Sequence, residues 1–128
     1  MLDTNMCIYL MKNQPAQVAE RFAQCYVGEV VMSAITFAEL SYGVSVSADS
    51  KREAKNLSSL VEDIPVVPFD QVAGAAYGPI RLATNESKMD HLDKLIAVHS
   101  KALSVTLVTN NLRDFERYPS VAAENWLI

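Results

Sequence analysis

The chain has 128 residues, half of them hydrophobic, with four Gly and five Pro, a composition that suits one packed domain and excludes a disordered linker. No apolar run approaches the length of a bilayer span and there is no signal peptide, so neither a membrane protein nor a secreted one is expected. The net charge of −4 excludes a protein that coats nucleic acid indiscriminately, but leaves room for a nuclease whose carboxylates gather around a cation.

Met1-Leu2-Asp3-Thr4-Asn5 reads as the end of a first strand that closes on a carboxylate and turns into a helix over 4–11. That strand is so short that truncation and missing leading residues both stay open. Asn13-Gln14-Pro15 breaks the helix, and Pro15 suits the first turn of the next one, over 16–24. A β-branched run over 29–33 gives a second strand, followed by a helix through Thr36, Glu39 and Leu40 that stops near Gly43. The stretch 49–63 carries Ala54, Leu57, Leu60 and Val61 at helical intervals. Ile64-Pro65-Val66-Val67 is a third strand, placed by Pro65 at a sheet edge or a strand start.

A helix over 70–84 is expected to kink or break at Gly78-Pro79. Residues 85–89 form a polar loop, and 90–102 a helix with Leu92, Leu95, Ile96, His99 and Leu103 along one face. Residues 105–109 make a central strand buried on both faces. After the Asn110-Asn111 turn, the tail at Trp126 to Ile128 is expected as a last edge strand. Strands alternating with helices over 1–128 predict a single α/β domain with a mainly parallel sheet of four to five strands. The two cysteines, Cys7 and Cys25, fall in separate predicted helices without metal-type spacing and read as reduced thiols of a cytosolic protein.

Three acids stand where strands end or helices begin, and each has an ordinary reading. Asp3 is a good N-cap. Thr36 and Glu39 have the spacing of a capping box. Asp93 suits the positive end of its helix, with Asp90 as the cap. Taken together they read differently. In a parallel sheet the strand exits share one edge, and carboxylates brought together there repel unless a cation neutralises them. An all-oxygen donor set suits Mg²⁺ or Mn²⁺, which can polarise a phosphoryl oxygen and activate a water. Asn110 and Asn111 are turn residues or could orient a water. His99 reads as a hydrogen-bonded core histidine, His91 as surface, and Tyr42 and Trp126 as core or interface. Asp114 reads as a local cap or salt-bridge partner. Lys12, Arg81, Lys88, Lys94, Lys101, Arg113 and Arg117 are solvated charges, some of which could line an RNA path.

Four motifs carry a resemblance: Met1-Leu2-Asp3-Thr4-Asn5; Ser33, Thr36, Glu39, Leu40 and Gly43; Asp93, Ile96, Ala97 and His99; and Val108-Thr109-Asn110-Asn111 with Arg113-Asp114-Phe115. In that order they resemble a PIN-domain ribonuclease, and more narrowly the VapC toxins of type II VapBC toxin–antitoxin pairs. The resemblance implies a three-layer α/β/α sandwich and a metal-dependent endoribonuclease. It implies Asp3, Glu39 and Asp93 as the acidic cluster, Asp3 and Asp93 as Mg²⁺ ligands, and Thr4, Asn5, Thr109 and Asn111 as supporting residues. It also implies a VapB-type antitoxin, a homodimer and a larger complex with the antitoxin. Likeness to the enteric VapC group implies cleavage of initiator tRNA in the anticodon loop. Two features depart from the pattern: no glycine precedes the third acid over 86–90, and Asn111 stands where many PIN domains have a fourth acid, which favours one tightly held ion. Two other classes remain in view. A catalytically weak module could bind a basic peptide or RNA, whereas a phospho-accepting receiver domain lacks its expected extra acids and lysine.

Overall fold

The computed structural model describes residues 1–84, 91–116, 118 and 120–127. Its centre is Leu2, fully buried and bridged in parallel to Met32 on one side and Val108 on the other. The backbone ladder closes through Leu2 N–H to Val31 O (3.0 Å), Asp3 N–H to Val108 O (3.0 Å) and Val108 N–H to Met1 O (2.8 Å). Around it stand β1 (Met32–Ser33) with β2 (Val66–Val67), and β3 (Leu107–Val108) with β4 (Ala123–Glu124). The order β2, β1, Leu2 segment, β3, β4 is parallel throughout, which is the sheet the sequence predicts.

Side chains alternate across a strand, and here the alternation sorts the core into two layers. Leu2, Met32 and Val108 face one cluster with Met6, Cys7, Val18, Leu57, Leu60 and Trp126. Met1 and Leu107 face the other, with Ile80, Ile96, Val98 and Phe115. The first layer is covered by α1 (Thr4–Lys12), α2 (Ala16–Phe22), α3 (Ala34–Val46) and α4 (Ser50–Asp63). The second is covered by α5 (Gln71–Thr84), α6 (His91–Ala102) and α7 (Leu112–Phe115). No helix among the described residues is long and apolar enough to cross a membrane.

Several elements depart from the sequence reading. The strands are shorter. Residue 29 belongs to a turn, since its N–H bonds Tyr26 O and Gly28 takes a φ of 88°, and Pro65 has no N–H for the ladder. Helix α3 starts at Ala34 and runs through Gly43 to Val46, because Ser33, not Thr36, is its cap and accepts from Ile35 N–H at 3.0 Å. Helix α5 runs unbroken through Pro79, with Asp70 Oδ1 accepting from Ala73 N–H at 3.0 Å. The last strand is β4, and Trp126 lies beyond it, buried beneath the Arg21 guanidinium with Nε1 donating to Glu124. Tyr42 is exposed and is not part of this core.

On α6 the buried run is 96–100 together with Lys94, while Leu92 and Leu103 reach solvent. The helix is covered from more than one side, so a single apolar stripe does not describe it. Lys94, read from sequence as a solvated charge, is buried. The predicted loop over 85–89 and the Asp90 cap lie outside the described residues. Both thiols are free, but Cys25 follows α2 rather than lying in it, and burial pushes the Cys7 thiol up.

His99 is the core histidine the sequence suggests. Its Nδ1 lies 2.8 Å from Ser33 Oγ, its ring meets Phe69 edge-on, and it bonds the Pro68 backbone. Pro68 offers only a carbonyl, so the ring N–H is spent there and Nδ1 accepts from Ser33. Burial lowers the pKa of His99, against a smaller upward pull from Asp70. The unfolded chain therefore takes the proton first as pH falls. Stability should hold above the ordinary histidine pKa of ~6.5 and drop as pH passes below it, and urea titrations of His99→Gln should lose that slope. Separately, Leu2→Ala should cost about 2–5 kcal/mol by urea midpoint, while Leu82→Ala on the surface should stay within about 0.5 kcal/mol.

Candidate active site

The exit of the Leu2 segment carries Asp3 directly into the N-cap of α1. Its Oδ1 accepts from Met6 N–H at 3.0 Å, so the capping role is real. Capping is not its whole environment, because Asp3 also lines a cavity of about 300 Å³. Glu39, in the second turn of α3, and Asp93, in the first turn of α6, line the same cavity. Thr4, Asn5 and Asn111 line it too, and Ile8 and Phe115 form apolar walls. Among the described residues no three His, Cys, Asp or Glu side chains close into a group that could hold a metal ion.

Burial is the main force on Asp3. It is 6% exposed, and desolvation raises its carboxyl pKa above the usual range. Hydrogen bonds from the Thr109 side chain and from the Met6 and Asn5 backbone oppose this shift, and the nearby Glu39 charge adds to it. Thr109, itself fully buried at the end of β3, thus holds the carboxylate from the sheet side.

Glu39 does not form the capping box that its spacing suggests. Thr36 is already inside α3 and buried, and Glu39 Oε1 instead accepts from Thr4 Oγ1 at 2.7 Å. Thr36 Oγ1 lies 3.4 Å from the same hydroxyl. One threonine at the start of α1 therefore fixes an acid on α3. Asp93 sits half-buried in the first turn of α6, where the helix dipole favours a carboxylate.

The two asparagines separate. Asn111 lines the cavity, donates its N–H to Thr109 Oγ1 at 3.0 Å and its side-chain amide to Asp114 Oδ2. Asn110 points to α1 instead, where Nδ2 donates to the Tyr9 hydroxyl at 2.9 Å and Oδ1 is buried with no partner among the described residues. Sequence reasoning missed Ile8, and gave Phe115 and Thr36 a place in the motifs but none in the site. The Thr4–Ile8 spacing of one helical turn could have revealed the first of these.

A family model for the PIN domain matches residues 1–121. Over 128 residues the chain is 38% identical to the tRNA(fMet)-specific endonuclease VapC of Shigella flexneri, covering 98% of this chain and 96% of that one. Among solved structures, DNA-bound VapBC from Salmonella typhimurium superposes with a TM-score of 0.90 at 36% identity, covering 98% and 96% of the two chains. VapBC2 from Rickettsia felis, bound to a DNA fragment from their promoter, gives 0.89 at 32% identity, covering 98% and 97%. The chain therefore belongs to the PIN-domain family and, within it, to the VapC ribonucleases. Its three-layer α/β/α arrangement is that family's fold.

The donor set fits a hard divalent cation that takes few protein carboxylates and keeps several waters. A cost of burying the Asp3 charge without such an ion follows from its raised pKa. That cost is present above the folded-state pKa and vanishes below the ordinary Asp value of ~4. In EDTA at neutral pH, Asp3→Asn should melt no lower than the parent chain, and any gain should shrink toward pH 4. Added Mg²⁺ should raise the Tm of the parent and not that of the variant.

Proposed function

We propose that this chain is the toxin of a toxin–antitoxin pair, a Mg²⁺-dependent endoribonuclease that cuts tRNA and is silenced by a VapB-type antitoxin. The observation that carries the reading is the single cavity shared by Asp3, Glu39 and Asp93, three acids from three separate elements. The tRNA(fMet) specificity in the name of the Shigella relative supports initiator tRNA as the substrate, and the VapBC complexes among the solved relatives support the antitoxin. Exposed apolar side chains such as Tyr42, Val46 and Val72 are available for the homodimer expected of the family.

In this reading Asp3 and Asp93 would hold the cation, Mg²⁺ or Mn²⁺. When bound, it would supply Lewis-acid polarisation of the scissile phosphate and a lowered water pKa. Glu39 accepts a proton from the attacking water, and Thr4 keeps its carboxylate aimed by donating to Oε1. Thr109 and Met6 N–H hold the Asp3 carboxylate in one orientation, so little reorganisation is needed on binding. Asn111, tied to Thr109 and Asp114, orients water at the rim. Ile8 and Phe115 exclude bulk water from one side.

A second reading is favoured by one observation: the carboxylates line a cavity without closing into a metal cage. A catalytically weak module would use the same acids to hold a basic peptide or RNA.

Both readings meet one assay, the purified chain with total tRNA and Mg²⁺ and no partner present. The nuclease reading expects discrete fragments whose sequenced ends map to the initiator tRNA anticodon loop, and no fragments in EDTA. Asp3→Asn and Asp93→Asn should each lower cleavage at least about 100-fold, the scale of losing one electrostatic stabiliser of a transition state. Cutting that survives EDTA, or folded variants that cut normally, would remove the metal reading. Absence of any specific cut would leave the binding module.

A further inference from the structure

The acidic cavity is not isolated. A groove of about 560 Å³ begins at Ile8 and Glu39, both of which also line the cavity, and runs between α1, α3 and α4. Its size falls within the range of about 300–1,000 Å³ usual for ligand sites. The walls are apolar, from Ile8, Met11, Leu40 and Val44, and its charged groups are two cations, Lys12 and Arg52, and two acids, Glu39 and Glu53.

Two observations set these cations apart from ordinary surface charge. Neither has an ion-pair partner among the described residues, although Glu39 and Glu53 line the same groove. Arg52 also lies in the first turn of α4, where the helix dipole disfavours a cation. Helix stability therefore does not explain its position. Lys12, in the last turn of α1, has a dipole rationale of its own, yet it lines the same groove. In a chain of net charge −4, Lys12 and Arg52 put two cations beside the carboxylate cavity, in a groove whose lining also carries Glu39 and Glu53.

We propose that this groove is an RNA subsite in which Lys12 and Arg52 bind phosphates flanking the scissile bond and so set the strand across the acids. The inference rests on the ribonuclease reading and names where its substrate lies. Among the described residues the groove lining holds no aromatic ring for base stacking and few groups for base edges, chiefly Asn56 and Ser47. It tracks the backbone and positions the strand, while contributing little base discrimination. Lys12 and Arg52 are positioning residues, distinct from the acids that touch the reacting atoms.

The test is steady-state cleavage of tRNA by the full-length chain across a series of KCl concentrations. Lys12→Ala and Arg52→Ala should each raise KM with kcat little changed, and the double variant should flatten the slope of log(kcat/KM) against log[salt] by about 1.4, from ~0.7 per phosphate contact on a single strand. Arg52→Lys should recover most of the loss. Lys55→Ala, on the same helix but absent from the groove lining, should leave KM and slope unchanged. If the parent chain cuts no RNA, the ribonuclease reading itself fails. If the parent cuts but the double variant keeps both KM and salt slope, this inference alone is overturned. A double variant that escapes antitoxin inhibition while cutting normally would reassign the groove to a protein segment and likewise overturn it.

Discussion

The buried carboxylate of Asp3 is the constraint on which the rest of the site depends. A charge taken out of water this far must be met by donors, by a counter-ion or by a proton. The fold supplies donors from two directions, Met6 N–H from α1 and Thr109 from the end of β3. Both are in place only because Leu2 is hydrogen-bonded into the middle of the sheet. The remaining deficit, with Glu39 adding repulsion, is what a divalent cation would relieve. Backbone order, burial and the affinity expected for a metal are thus one linked arrangement.

Glu39 illustrates how such a site is assembled from local parts. Its obvious local partner was the Thr36 backbone three residues earlier. Ser33 took the capping position instead, held in turn by His99, and this moved the helix start back by about one turn. Glu39 was thereby released from a structural task and became available to Thr4 on another helix. His99 is thus linked, through Ser33, to the start of the helix that carries Glu39.

Much of this was readable from residues alone. The alternation of strands and helices and the parallel sheet follow from the order of the elements, whereas the meeting of positions 3, 39 and 93 was only an expectation that the shared cavity lining now meets. Asp3 as a cap was legible because it is a short-range effect of one side chain on its own helix. What escaped was decided by competition between distant groups. Thr36 and Ser33 both look like caps; Ser33 is the one that caps, and its hydroxyl is also bonded to His99 of α6. The extent of α5 depends on packing against α6, which outweighs the propensities of Gly78 and Pro79. The burial of Lys94 could not be seen in a charge count, because helix α6 is enclosed on several sides. Strand lengths were overestimated because β-branched composition marks where a strand is possible, whereas ladder partners mark where it stops.

The alternation of Met1, Leu2 and Asp3 leaves this corner of the molecule no slack. Met1 belongs to one core layer and Leu2 to the other, and the carboxylate follows immediately. Inserting one residue between Leu2 and Asp3 would force a choice. Either the two apolar side chains exchange layers, or the acid overshoots the cap and leaves Met6 N–H unanswered. The first segment therefore behaves as a fixed frame of reference, able to vary in side-chain identity but not in spacing. Longer strands can absorb an insertion as a bulge, and a segment this brief has nowhere to put one.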